Sequence, residues 1–73
     1  MKTIGVDIGG TSFRIGIADG ANHLIRFEKV PTGSVFSSGD ILGDLAGYIM
    51  SFSRGVTVDA VAIGFCRFQN GRY

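Results

Sequence analysis

Two stretches of strict alternation, set back to back across a pair of glycines, constrain this chain more than any other feature. Residues 3 to 9 place Ile4, Val6 and Ile8 on one face and Gly5, Asp7 and Gly9 on the other, the period-two pattern of a strand. After Gly9-Gly10 the run from Thr11 to Ala18 alternates again, with Phe13, Ile15 and Ile17 on one face and Ser12, Arg14, Gly16 and Ala18 on the other. Asp19-Gly20-Ala21-Asn22 supplies turn chemistry, and residues 23 to 30 return as a third strand. The first thirty residues therefore read as a three-stranded antiparallel meander.

Pro31-Thr32-Gly33-Ser34 breaks the sheet. Ser37 at an N-cap with Asp40 three residues on has the pattern of a capping box, which predicts a helix from there to about Arg54. Its apolar stripe is Ile41, Leu45, Ile49 and Phe52, flanked by Leu42 and Met50. Arg54 suits the negative end of the helix dipole and Gly55 the C′ position. Val58 to Phe65 is apolar except for Asp59 and Gly64. That run predicts a fourth strand buried on both faces and, after a crossover helix, parallel to an earlier strand. Phe13, Ile15, Ile17, Ile25 and Phe27 are the expected core. The fold class is α/β. A sheet ending on its newest strand leaves apolar surface uncovered, so the chain reads as unfinished.

Composition narrows the function classes. With 73 residues there is material for one small domain, in which about 60% of the unfolded surface is buried and the core is marginal. One Cys and one His, Cys66 and His23, allow no internal disulfide and no tetrahedral zinc site, and a reducing, cytoplasmic setting is the expectation. Seven basic residues against six acidic ones, scattered along the chain, give no footprint for nucleic acid. Asp7 interrupts the only stretch that resembles a signal peptide, and no window approaches the roughly 20 apolar residues of a membrane span.

Any chemistry is concentrated in Val6-Asp7-Ile8-Gly9-Gly10-Thr11-Ser12-Phe13-Arg14. Glycines let a phosphate approach the backbone so that turn amides donate to it; Thr11 adds a hydroxyl, and Asp7 has the chemistry to hold a hydrated Mg²⁺ nearby. The spacing matches neither the P-loop nor the dinucleotide fingerprint. Generic physics leaves two readings open here, a phosphate-binding hairpin and a plain glycine hairpin.

The run Gly5-Val6-Asp7-Ile8-Gly9-Gly10-Thr11-Ser12-Phe13-Arg14-Ile15-Gly16-Ile17-Ala18-Asp19 closely resembles the first phosphate motif of the ROK family of sugar kinases and repressors, within the actin and hexokinase superfamily. Val61-Ala62-Ile63-Gly64-Phe65 falls where that family has its parallel strand, so the resemblance covers residues 3 to 65, nearly all of this chain but only the opening portion of a much longer family member. The double glycine favours this family, with its glucokinase- and allose-kinase-like members, over the glycerol and xylulose kinase branch, and Gly64-Phe65 in place of the commoner Gly-Ile or Gly-Val leans toward the allose-kinase-like ones. The resemblance implies the opening part of a ribonuclease-H-like, actin-type lobe over residues 1–65, with strand order 3-2-1-4, and a divergent tail over 66–73. It implies that Asp7 assists Mg²⁺ and phosphate positioning and that Gly9, Gly10 and Thr11 line the β- and γ-phosphates of ATP. The family's general base, adenosine and sugar pockets and zinc segment have no counterpart here, so no catalytic residue and no zinc are expected in this segment.

The implied function is the phosphate-binding segment of an ATP-dependent hexose kinase, inactive alone. Cys66-Arg67 stands where the family has a Pro-containing turn, which suggests a truncation or reading-frame change near codon 66. Two alternatives belong to other classes. A sugar-responsive repressor of the same family carries a helix-turn-helix ahead of the motif, for which Gly5 leaves no room. A small interaction module would be completed by a partner strand. Gly39, Gly43 and Gly47 are expected to pack close against the sheet, Cys66 to be inert, His23 to be a solvated strand-edge residue, and Arg14 to reach phosphate or to pair with Glu28 across the hairpin.

Overall fold

The computed structural model describes residues 1–21 and 23–65. Strands β1 (Thr3–Ile8), β2 (Ser12–Ala18) and β3 (Leu24–Pro31) are followed by a one-turn helix α1 (Thr32–Val35), a three-turn helix α2 (Ile41–Phe52) and strand β4 (Ala60–Phe65). The sheet order is β3-β2-β1-β4. β1 and β2, and β2 and β3, run antiparallel, whereas β4 lies parallel to β1, with Ile4 opposite Val61 and Ile8 opposite Phe65. The α/β class and the strand order expected from the sequence are those of the structure.

Alternation decides which face is buried. Ile4, Val6, Phe13, Ile15 and Ile17 project from β1 and β2 into a core closed by Val35, Leu45 and Phe52 from the helices. Phe13, 0% exposed, is its centre, meeting Phe36 and Tyr48 edge-on with ring centroids 5.8 and 5.1 Å away, a geometry that adds to area burial.

The helix begins and ends differently from the sequence expectation. Asp40, not Ser37, is the N-cap and accepts from the Gly43 amide at 3.0 Å. Gly39 at φ +90° turns the chain through the left-handed region just before it, so a helix cannot start earlier. Ser38 bonds forward to Asp44 instead, its hydroxyl donating at 2.7 Å. The helix stops at Phe52, with Ser53 as C-cap and Gly55 at φ +83° just beyond. Arg54 is not the cation at that end. Arg26 of β3 is: its guanidinium donates to the Phe52 carbonyl, reaches the Arg54 carbonyl at 3.4 Å and stacks over the Phe52 ring.

Packing explains the remaining differences. The buried stripe of α2 is Leu45, Tyr48, Ile49 and Phe52, and Ile41 is 59% exposed. Gly43 and Gly47 are exposed rather than pressed on the sheet; a Cβ at Gly43 would collide with the Asp40 carboxylate that caps the helix, and one at Gly47 would meet nothing. On β3, an irregularity opposite Ile17 and Ala18 leaves Ile25 outside the register and sets Phe27 across from Gly16 on the far face. Both are exposed, contrary to the expected core, and Arg26 and Glu28 face the helix in their place. β4 is exposed along its whole length. It was expected to be buried on both faces, but α2 lies over β2 and β3, where Arg26 and Glu28 reach it, and no described residue covers the opposite edge. Residues 66–73, including the inferred tail and Cys66, lie outside the described residues.

The turn into β3 is held by Asp19, which accepts from the amides of His23 (3.0 Å) and Ala21 (2.9 Å); these bonds keep its carboxyl below the ordinary range. His23 itself is solvated, with Nδ1 3.7 Å from Asp19 and its side chain 79% exposed.

Two outcomes follow from this packing. Phe13→Ala removes the central ring and is expected to cost about 3–5 kcal/mol, most of what a chain this small has, so urea denaturation followed by circular dichroism should find the variant largely unfolded. Burial first, and the hydrogen bond to Glu28 second, push the Tyr48 hydroxyl up from 10.0 to about 12. A raised acid pKa stabilises the fold fully below the unfolded value and loses that contribution as pH rises through the folded one. Stability should therefore fall between pH 10 and 12, and Tyr48→Phe should flatten the part of that fall due to this residue.

Candidate phosphate-binding turn

The turn between β1 and β2 is closed and then tied down. Gly9 donates its amide to the Ser12 carbonyl at 2.8 Å, and a Cβ on Gly9 would lie 3.1 Å from that same oxygen, so any larger residue would press on the closing bond. The second tie comes from the end of β3. Because Ser12 pairs with Pro31, the next residue, Thr32, arrives beside the turn. Its amide donates to the Thr11 carbonyl at 3.0 Å and its hydroxyl to the Gly9 carbonyl at 2.9 Å.

These bonds use the carbonyls and leave donors over. No described residue accepts from the amides of Gly10 or Thr11. Both residues are exposed, and a Cβ on Gly10 would meet nothing within 4 Å. The result is a fixed loop with two adjacent N–H groups and a threonine hydroxyl open to a ligand, a donor set suited to an anion.

Asp7 lies one residue before the end of β1, on the sheet face away from the helices. Its carboxylate is half exposed, and Arg14, its direct cross-strand partner, brings Nη1 to 3.7 Å. Arg14 thus pairs with Asp7 rather than with Glu28, because Glu28 sits opposite Ile15 and faces α2, where Tyr48 donates to it. The structure sets Asp7, Gly9, Gly10 and Thr11 around one end of β1. Thr32 was missed, although a Thr directly after the Pro that ends β3 was a usable signal once the strand pairing was known.

The same far face carries a shallow groove of about 790 Å³, floored by Gly5, Gly16, Ala18, Ala62 and Gly64, rimmed by Leu24 and Phe27, and reaching Asp7 and Arg14. Among the described residues no three His, Cys, Asp or Glu side chains gather to hold a metal ion, and no helix is long and apolar enough to cross a membrane.

No family model matches the chain. Among curated proteins, the glucokinase of Streptomyces coelicolor is 34% identical over 68 residues, taking in 93% of this chain and 21% of that protein. The glucokinase of Streptomyces lividans matches to the same extent. Among solved structures, a ROK family glucokinase from Streptomyces griseus, in complex with glucose and AMPPNP, superimposes with a TM-score of 0.69 at 34% identity, over 89% of this chain and 20% of that one. A Listeria monocytogenes chain at 22% identity, covering 86% of this chain and 20% of its own with a TM-score of 0.60, speaks to the fold alone. The chain spans about a fifth of the length of the curated relatives it matches. Over that span it is a homologue of the N-terminal part of ROK family glucokinases, with the actin/hexokinase-like fold of their opening lobe.

Proposed function

We propose that this chain carries the first phosphate-binding hairpin of an ATP-dependent hexose kinase. The amides of Gly10 and Thr11 and the Thr11 hydroxyl contact the β- and γ-phosphates, and Gly9 keeps the turn tight enough to present them. The observation that carries this reading is the pair of exposed amides left over in a loop whose Gly9 and Thr11 carbonyls Thr32 has already engaged. The complex of the Streptomyces griseus relative with an ATP analogue and glucose supports it.

A single carboxylate at the turn suits Mg²⁺ held through water, with phosphate oxygens as the other ligands. Asp7 is that carboxylate, and the metal's contribution would be to neutralise charge on the transferring phosphoryl group. The resemblance sets the family's general base outside the matched segment, so residues 1–65 act as a binding segment. The general base and the adenosine and sugar pockets belong to chain that this segment does not contain. The working compartment is the cytoplasm. The repressor reading draws no support from the relatives above, which are kinases.

Two measurements test this. The pure 73-residue chain should show no hexose-dependent ATP turnover above an Asp7→Asn control; turnover above that control would place catalysis within this segment and overturn the assignment. Gly10→Ala puts a methyl group into open space, so stability should change by less than about 0.5 kcal/mol. That methyl occupies the phosphate's approach, and calorimetric titration with ATP should show affinity falling at least severalfold. Unchanged affinity would mean that phosphate does not approach there.

A further inference from the structure

The strand register places a charged row across the sheet face that carries Asp7. Asp7 of β1 stands opposite Arg14 of β2, and Arg14 stands opposite Lys29 of β3. Arg14 lies between the buried Phe13 and Ile15, and Lys29 between Glu28, which bonds to Tyr48 of α2, and Val30, which packs on the core. All three charged side chains therefore leave the sheet on the side away from the helices.

The row is unbalanced. Two cations face one carboxylate, and the cations are direct cross-strand neighbours, about 5 Å apart at Cβ, where like charges repel. Asp7 compensates only in part. Its 3.7 Å separation from Arg14 is too long for a hydrogen bond, and Arg14 donates no hydrogen bond to any described residue. Lys29 is exposed and forms no ion pair among the described residues. A guanidinium with its donors uncommitted beside an unpaired ammonium is a site for a multiply charged oxyanion. Its position is specific as well: the row lies two residues from the turn along β1, roughly 7 Å, so an anion on the exposed turn amides extends naturally over it.

We propose that Arg14 and Lys29 form a cationic subsite for a condensed phosphate chain, free or as part of a nucleotide, continuing across the sheet face from the Gly10 and Thr11 amides. The proposal rests on the reading of the turn as a phosphate contact. It adds Lys29, which lies outside the glycine motif, gives Arg14 at the end of that motif a defined role, and makes Asp7 a counter-charge that keeps Arg14 beside the turn when no phosphate is present.

The test is a metal-free titration of the full 73-residue chain with inorganic tripolyphosphate, with ATP and with adenosine, followed by amide and Arg Nε–H resonances. Tripolyphosphate and ATP should shift Gly10, Thr11 and the Arg14 Nε–H together, and adenosine should shift none of them. Arg14→Gln combined with Lys29→Gln should weaken tripolyphosphate about five- to tenfold, as expected for two exposed charge contacts, while the turn amides still shift at saturation. Arg14→Lys should recover part of the loss, and Asp7→Asn should tighten metal-free tripolyphosphate. Shifts at the turn with undiminished affinity in the double variant would overturn the subsite and leave the turn standing. Shifts at Arg14 without shifts at Gly10 and Thr11 would keep a cationic site and remove the turn. No binding by the unmodified chain would overturn both. Binding that follows adenosine rather than tripolyphosphate would assign the site to the base instead of the phosphates.

Discussion

The bond pattern of Thr32 is the constraint on which the site depends. One residue donates twice, from its amide to Thr11 and from its hydroxyl to Gly9, and so joins the end of β3 to the loop between β1 and β2. Without that tie, two glycines and a threonine would be an ordinary flexible turn, and the entropy of ordering them would fall on any ligand. With it, the Gly9 and Thr11 carbonyls are engaged by Thr32 and the Gly10 and Thr11 amides are left outward. The rest of the fold serves this geometry: Phe13, buried one residue after Ser12, anchors the start of β2 beneath α1 and α2, and the pairing of Ser12 with Pro31 brings Thr32 to the loop.

The two edges of the sheet differ in kind. β3 carries Arg26, Glu28, Lys29, a register irregularity and a terminal proline, all of them features that discourage further strand pairing. β4 has none of these. Ala-Val-Ala-Ile-Gly-Phe is uncharged, regular and exposed, and its Val61, Ile63 and Phe65 continue the apolar row of Ile4, Val6 and Ile8 without a helix above them. One edge therefore has the features of a finished surface and the other does not.

Local patterning carried most of the fold. Alternation in residues 3 to 18 is strict because β1 and β2 have one buried face, so strands, faces and turn were all legible in it. The parallel fourth strand followed from its apolar run after a helix. The misreadings share a cause. Ser37 and Asp40 both have capping chemistry, and only the left-handed backbone at Gly39 decides between them. Ile25 and Phe27 look like core residues, but one skipped register position on β3 sends Phe27 to the far face and brings Arg26 to the end of α2, where it replaces Arg54. Each depends on a tertiary neighbour that no local pattern contains. At the site, the glycines were visible because composition announces them. Thr32 and Lys29 become part of it only through register, and register also decides between the two roles the sequence offered Arg14.

The account rests on two amides being free in the isolated chain and engaged by phosphate. Hydrogen exchange at single-residue resolution tests this most directly. In the free chain, Gly10 and Thr11 should exchange at close to unhindered rates while Gly9, bonded to Ser12, and the β1–β2 ladder are protected. ATP should slow Gly10 and Thr11 selectively. Protection of these two amides before ATP is added, or rates unchanged by saturating ATP, would contradict the account.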